Sequence, residues 1–157
     1  MAEAASWGEF FKIWQANQLV PIEPNRLTNS PVPERTRQFL SGVGLPIEAP
    51  LYVTFYHDER LLKPTVFKGD FYLLVGDDSG NLLGLRNDTG ELWSIDGSLE
   101  QAWFVNSTLC NFILFLGLYE KHYCDLEKYI IARDAKALEE PGNWWSIIME
   151  QMGYGFL

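Results

Sequence analysis

FYLLVGDDSGNLLGLRNDTGELWSID, residues 71–96, decides the fold. Three runs rich in β-branched, leucine and aromatic residues lie in it: FYLLV from Phe71, NLLGLR from Asn81 and ELWSID from Glu91. Gly76-Asp77-Asp78-Ser79-Gly80 and Asn87-Asp88-Thr89-Gly90 separate them, with glycine where a tight reversal needs a left-handed backbone. The pattern predicts an antiparallel meander. The ten-residue recurrence of the turns is what consecutive hairpins produce and implies no duplicated function. Upstream, LYVTFYH from Leu51 has the same composition and is predicted to be a further strand.

Helical spacing surrounds the meander. After the Trp103–Val105 segment, Asn106-Ser107-Thr108 offers three possible caps for LCNFILFLGLYEKHY. There Leu109, Phe112, Ile113, Leu116, Tyr119 and Tyr123 form one apolar stripe, while Cys110, Leu114 and Leu118 make the other side apolar too. A helix apolar nearly all round belongs between layers. Residues 125–140 continue as a more polar helix, Pro141-Gly142 breaks it, and Asn143 is placed to cap a last helix ending at Met152. On the N-terminal side, Trp7, Phe10, Phe11 and Trp14 predict a helix over 5–17 with one apolar face. Four prolines in PIEPNRLTNSPVP make residues 18–33 an extended connection across the surface, before a short helix from Glu34 to Ser41. That helix stops at Gly42 and Gly44, and Pro46 keeps it from resuming. The expectation is one α+β domain over 1–157, a central antiparallel β-meander sheet packed by N-terminal and C-terminal helices.

Composition narrows the function classes. With 47% hydrophobic and 15% aromatic residues the chain can bury a core. Its formal net charge of −9 repels a phosphate backbone, which argues against direct nucleic-acid binding. The imbalance sits in the second half: residues 77–157 carry nearly all of it. An acidic surface of this kind steers a basic partner. The start, MAEAASWGEF, lacks a basic, apolar leader, and the longest apolar stretch falls short of a membrane span, so a cytoplasmic location is expected. Cys110 and Cys124 are read as buried, reduced thiols.

No motif assembles a catalytic centre, a cofactor site or a metal site. Asp78-Ser79-Gly80 and Asp88-Thr89-Gly90 imitate the tripeptides of aspartic proteases, but a ten-residue spacing within one meander is read as leaving both at one edge, where no second lobe faces them. Asp77, Ser79 and Asn81 alternate like calcium ligands, yet Leu82 stands where the sharp-turn glycine is needed. Gly76, Gly80 and Gly84 are not followed by the Gly-Lys-Ser/Thr of a phosphate loop. His122 beside Cys124 has no second ligand pair for zinc. His57-Asp58 is a tunable pair without a nucleophile. The six tryptophans are more informative: Trp7, Trp14 and Trp103 fit core positions, whereas adjacent Trp144 and Trp145 diverge by about 100° on a helix and do not both point inward, one of them facing outward or packing on the chain's tail.

Phe39-Leu40 with Gly44-Leu45-Pro46, the run from Tyr72 through Gly76 and Gly90 to Trp93-Ser94-Ile95, and Phe104-Val105-Asn106-Ser107 leading to Phe112 and Phe115-Leu116 together resemble the SUKH superfamily, related to the Smi/Knr regulators, and most of all its bacterial immunity-protein subfamilies. The resemblance spans roughly residues 34–120. It implies a sheet wrapped by helices and a non-catalytic antidote that binds and neutralises a polymorphic toxin, often a nuclease; the competing role is an intracellular scaffold or regulator that holds a signalling partner. Under either role the expected contact surface is an acidic edge of Asp77, Asp78, Asp88, Glu91, Asp96 and Glu100 with Trp93 as anchor, facing a basic protein domain.

Overall fold

A computed structural model describes residues 2–152, with side chains from Trp7 onward. Chain order is α1 (Ala2–Ile13), β1 (Leu19–Val20), α2 (Pro24–Leu27), α3 (Glu34–Gly42), β2 (Leu45–Pro46), β3 (Val53–Phe55), β4 (Pro64–Phe67), β5 (Asp70–Asp78), β6 (Asn81–Arg86), β7 (Leu92–Asp96), β8 (Gln101–Asn106), α4 (Leu109–Glu120), α5 (Leu126–Asp134) and α6 (Trp144–Gln151). Six strands make one antiparallel sheet in the order β3-β5-β6-β7-β8, with β4 also on β5. This is the expected α+β fold with its central meander.

The register explains how one long strand serves two partners. β5 is bulged between Leu74 and Gly76; its first half pairs with β4 (Val66 opposite Phe71) and its second with β3 (Phe55 opposite Gly76). β4 was not legible in the sequence: it has four residues, starts with proline and leaves Val66 exposed, the signature of an edge strand. The predicted strand from Leu51 shrinks to Val53–Phe55, because Leu51 and Tyr52 both adopt positive φ and form a turn. Gly76, Asp77 and Asp78, predicted as loop, are strand residues; the reversal is only Ser79-Gly80, both at positive φ as a primed two-residue hairpin requires.

One sheet face carries Phe55, Gly76, Leu83, Ser94 and Trp103 in register, and Leu73, Leu85 and Leu92 beside them. The C-terminal helices cover it: Phe112 of α4 meets Phe55 edge-on at 6.0 Å, and Trp145 of α6 packs against Phe112 and Phe115. α4 is buried along Phe112–Leu118, as its all-round apolar pattern demands. α1 crosses it at Gly117, where a Cβ would lie 2.5 Å from both Ile13 Cγ2 and Trp14 Nε1; that close approach lets the Trp14 indole donate to the Ile113 carbonyl at 2.9 Å. The opposite face stacks Gly84, Trp93 and Phe104, with Tyr72 lying over Gly84.

Several local expectations need correction. α1 ends at Ile13 rather than residue 17, and Phe11 is exposed although it sits in the predicted apolar series. Residues 18–33 do more than cross the surface: Leu19, Ile22, Leu27 and Val32 are buried, and the Arg37 guanidinium of α3 donates to the carbonyls of Leu27, Ser30 and Val32, which holds the proline-rich path in place. Thr108 is the cap of α4, accepting from the Asn111 amide at 3.1 Å. The helix expected over 125–140 breaks at Asp134 (φ −155°), whose carboxylate turns inward; a 3-10 turn, Ala135–Leu138, follows. Asp134 accepts from Asn106 Nδ2 (2.9 Å), Ser107 N (2.8 Å) and Ser107 Oγ (2.7 Å), while Asn106 Oδ1 accepts from the buried Trp145 indole (2.8 Å). This polar knot ties β8 to α5 and α6. Cys124 is exposed rather than buried, since α4 has already ended and His122 reverses the chain; Cys110 is partly covered, and burial pushes its thiol up to about 11.

Candidate functional site

Successive hairpins of a meander turn at alternate ends of the sheet, so the seven residues singled out above do not form one edge. Asp78 is paired with Asn81, Leu82 with Ile95, and Asp96 with Gln101, which gathers the Ser79-Gly80 and Gly97–Glu100 turns at one end. Asp88 and Glu91 lie at the other, across the length of β6, roughly 17 Å for its six residues. The same alternation separates the two protease-like turns, correcting the expectation that both sit at one edge.

The acids of the distal end are engaged in ion pairs. Arg86 pairs with Asp70 (3.3 Å) and Asp88 (3.4 Å), and Lys136 reaches Glu91 at 2.7 Å while lying over the Phe104 ring. Trp93, half-buried, stands edge-on to Phe104 at 5.5 Å and points its indole N–H toward Glu91 Oε1 at 3.4 Å. It is part of the sheet's own aromatic layer, on the face opposite the one that α4 and α6 cover, and it lines a groove that reaches Glu100.

The proximal end is different. The segments 47–54, 77–81 and 95–101 meet there and carry Glu48, Asp77, Asp78, Asp96 and Glu100, without one lysine or arginine. The Ser79 amide donates to the Tyr52 carbonyl, which holds the 47–54 loop against the β5–β6 turn. This arrangement leaves Tyr52 84% exposed, Leu99 63% and Ile47 57%. Exposed apolar side chains among carboxylates have the composition of a protein interface with anchors inside a charged rim. Not every acid is free for a partner. The Asp96 carboxylate accepts from the Ser98 and Leu99 amides and the Ser98 hydroxyl, which holds it below the usual range and shapes the turn. Asp77 accepts from the Tyr56 hydroxyl at 3.1 Å.

Asp78 is the exception in environment. It lies on the helix-covered face, and its Oδ2 accepts from the Trp144 indole at 2.5 Å and from Ser94 Oγ at 3.4 Å. Burial raises its pKa, partly offset by those two donors. Beside it opens a cleft of about 330 Å³ between the sheet end and α6, walled by Trp103, Trp144, Leu51, Ile147 and Ile148. Trp145 is fully buried and Trp144 turns to this cleft, the divergence expected of the adjacent pair. The tail beyond Met152, on which one of them was expected to pack, lies outside the described residues. Trp103, assigned to the core from its spacing, is only half-buried and divides this cleft from a second one beside Phe104 and Lys136.

The residues weighed for chemistry stay dispersed. His57 Nε2 donates to the Pro46 carbonyl at 2.9 Å, and Asp58 is held down to about 2 by hydrogen bonds from Arg60 rather than engaging His57. In the Asp88 turn, Thr89 Oγ accepts from the Glu91 amide and the Gly90 amide donates to the Arg86 carbonyl, which is turn chemistry.

Ile47, Glu48, Tyr52 and Leu99 are the surface residues that sequence reasoning did not assign, and it left open which of Trp144 and Trp145 faces outward. Counting which turns alternate would have separated Asp88 and Glu91 from the rest, but the loop 47–54 joins this end only through the pairing of β3 with β5. No helix of the described residues is long and apolar enough to cross a membrane. In comparison with known families, the model described as SUKH-4 immunity protein matches residues 5–124. No curated protein and no solved structure matches the chain.

Proposed function

The chain belongs to the SUKH-4 immunity protein family, and on that premise we propose that it is an antidote that binds a cognate bacterial toxin through the proximal end of its sheet. The observation that carries this reading is the coincidence, on three adjoining segments, of five acidic residues, no basic ones, and the exposed side chains of Ile47, Tyr52 and Leu99. The carboxylates attract a basic domain and set the approach, while the apolar side chains supply the area that must be desolvated for the complex to persist. A nuclease toxin suits this surface, because the basic groove that grips a phosphate backbone is also what an acidic antidote covers. Neutralisation by occlusion asks for no reacting group in the chain, and the dispersal of His57, Asp58 and the Asp-containing turns is consistent with that.

The test is co-expression with each candidate toxin domain taken from the genes that neighbour this chain's own. The intact chain restores growth, and the triple change Glu48→Lys, Asp77→Lys, Glu100→Lys, with unaltered folding by circular dichroism, does not. Full protection by the triple variant would remove this end of the sheet as the contact surface.

A further inference from the structure

Among the clefts and charged groups of the described residues, Asp78 is placed unlike any other. Its Oδ2 takes both internal hydrogen bonds, from Trp144 and Ser94, whereas Oδ1 has no partner among the described residues. Among the described residues it is also the only charged one lining the cleft. Two indoles, Trp103 and Trp144, form walls next to it, and Leu51, Ile147 and Ile148 supply aliphatic surface. A carboxylate with one acceptor left over, flanked by aromatic rings and approached along an apolar wall, is complementary to a cation on an aliphatic stem. The ammonium or guanidinium meets Oδ1, the rings add cation–π attraction, and the stem lies along the isoleucines.

We propose that this cleft seats a lysine or arginine side chain of the protein that docks on the acidic end, making Asp78 and Trp144 the specificity pocket of that surface. The assignment rests on the reading of the proximal end as the contact surface and adds to it where the partner's charge is recognised. Charge complementarity selects the occupant: the three segments 47–54, 77–81 and 95–101 carry five acids and no base, so an incoming basic side chain is steered to them, while an acidic or purely apolar one gains nothing from Oδ1. The internal donors serve a second purpose, because the Trp144 and Ser94 bonds fix the carboxylate in place before the partner arrives and reduce the ordering cost of binding.

The chain alone suffices for the test, so failure here is distinguishable from failure of the antidote reading. The indole N–H resonances of Trp144 and Trp103 are followed by NMR during titration with N-acetyl-lysine N-methylamide, N-acetyl-arginine N-methylamide and, as an uncharged control of similar length, N-acetyl-norleucine N-methylamide. Saturable shifts with a cation and none with norleucine are expected, and whichever cation saturates first identifies the side chain. Asp78→Asn keeps an acceptor for the Trp144 indole and should weaken cation binding about tenfold, the equivalent of one charge-assisted hydrogen bond. Absence of saturable shifts with both cations, or equal shifts with norleucine, overturns the proposal. Equal cation binding by a folded Asp78→Asn overturns the role given to the carboxylate. Should that variant not fold, the comparison of cation with norleucine on the parent chain still decides.

Discussion

Asn106→Ala is the sharpest test of how the fold is held. Asn106 is fully buried, donates to Asp134 and accepts from the Trp145 indole, which is itself fully buried. Truncation removes one of the three donors to the Asp134 carboxylate and leaves the indole N–H without a partner where water does not reach. An orphaned buried donor costs about 1–3 kcal/mol and a lost hydrogen bond to a charged group about 1.5–3 kcal/mol, so the change should destabilise the chain by roughly 3–5 kcal/mol. For a chain of this length, with about 2–4 °C lost per kcal/mol, the melting temperature should drop by at least about 6 °C. Chemical denaturation monitored by tryptophan fluorescence measures it directly, and Ser107→Ala is the internal control: it deletes only the 2.7 Å hydroxyl bond and leaves the amide bond to Asp134. A loss below about 1 kcal/mol for Asn106→Ala would refute the claim that this knot, rather than apolar packing alone, docks the C-terminal helices on β8.

Gly117→Ala should cost about 1–3 kcal/mol or more, because its methyl group would have to displace Ile13 and Trp14 from α4; unfolding midpoints that match the parent would show α1 to sit looser than described. Asp78→Asn should gain stability relative to the parent at neutral pH. The folded-state pKa of Asp78 is raised, so its ionisation penalises the fold above that pKa, and the penalty fades as pH falls through it; the advantage of asparagine should therefore narrow on acidification, and a gap that widens would contradict the burial of this carboxylate. A thiol reagent at neutral pH should label Cys124 quickly and Cys110 slowly, since the first is exposed and the second is partly covered with its pKa pushed up; equal rates by mass spectrometry would contradict that contrast.

The sequence made the meander and the buried α4 legible because both have periodic patterns that only one environment satisfies. Glycine at Gly80 and Gly90 and alternating runs between them leave little choice of register, and a helix apolar on all sides has to lie between layers. Elements fixed by distant partners were not legible. β4 exists because β5 is long enough to carry two neighbours on one side, and the end of α5 is set by donors on β8 that pull Asp134 inward. The surface suffered from the same limit. Acidic residues grouped by sequence proximity fall at opposite ends of the sheet once the strands reverse, and Tyr52 reaches the proximal end through strand pairing that no local pattern announces. Trp144 and Trp103 show the intermediate case: divergence of adjacent tryptophans was readable, but the cleft between them depends on how α6 meets the sheet end.

The most direct test of the account compares the two ends. The association rate of the toxin domain should be measured at low and physiological salt for the parent, for Glu48→Lys with Asp77→Lys and Glu100→Lys, and for Asp88→Lys with Glu91→Lys. The proximal set should slow association by about tenfold or more at low salt and flatten its salt dependence, while the distal pair, already paired with Arg86 and Lys136, should stay close to the parent. Slowing by the distal pair alone, or equal slowing by both, would contradict the assignment of the proximal end as the surface that meets the toxin.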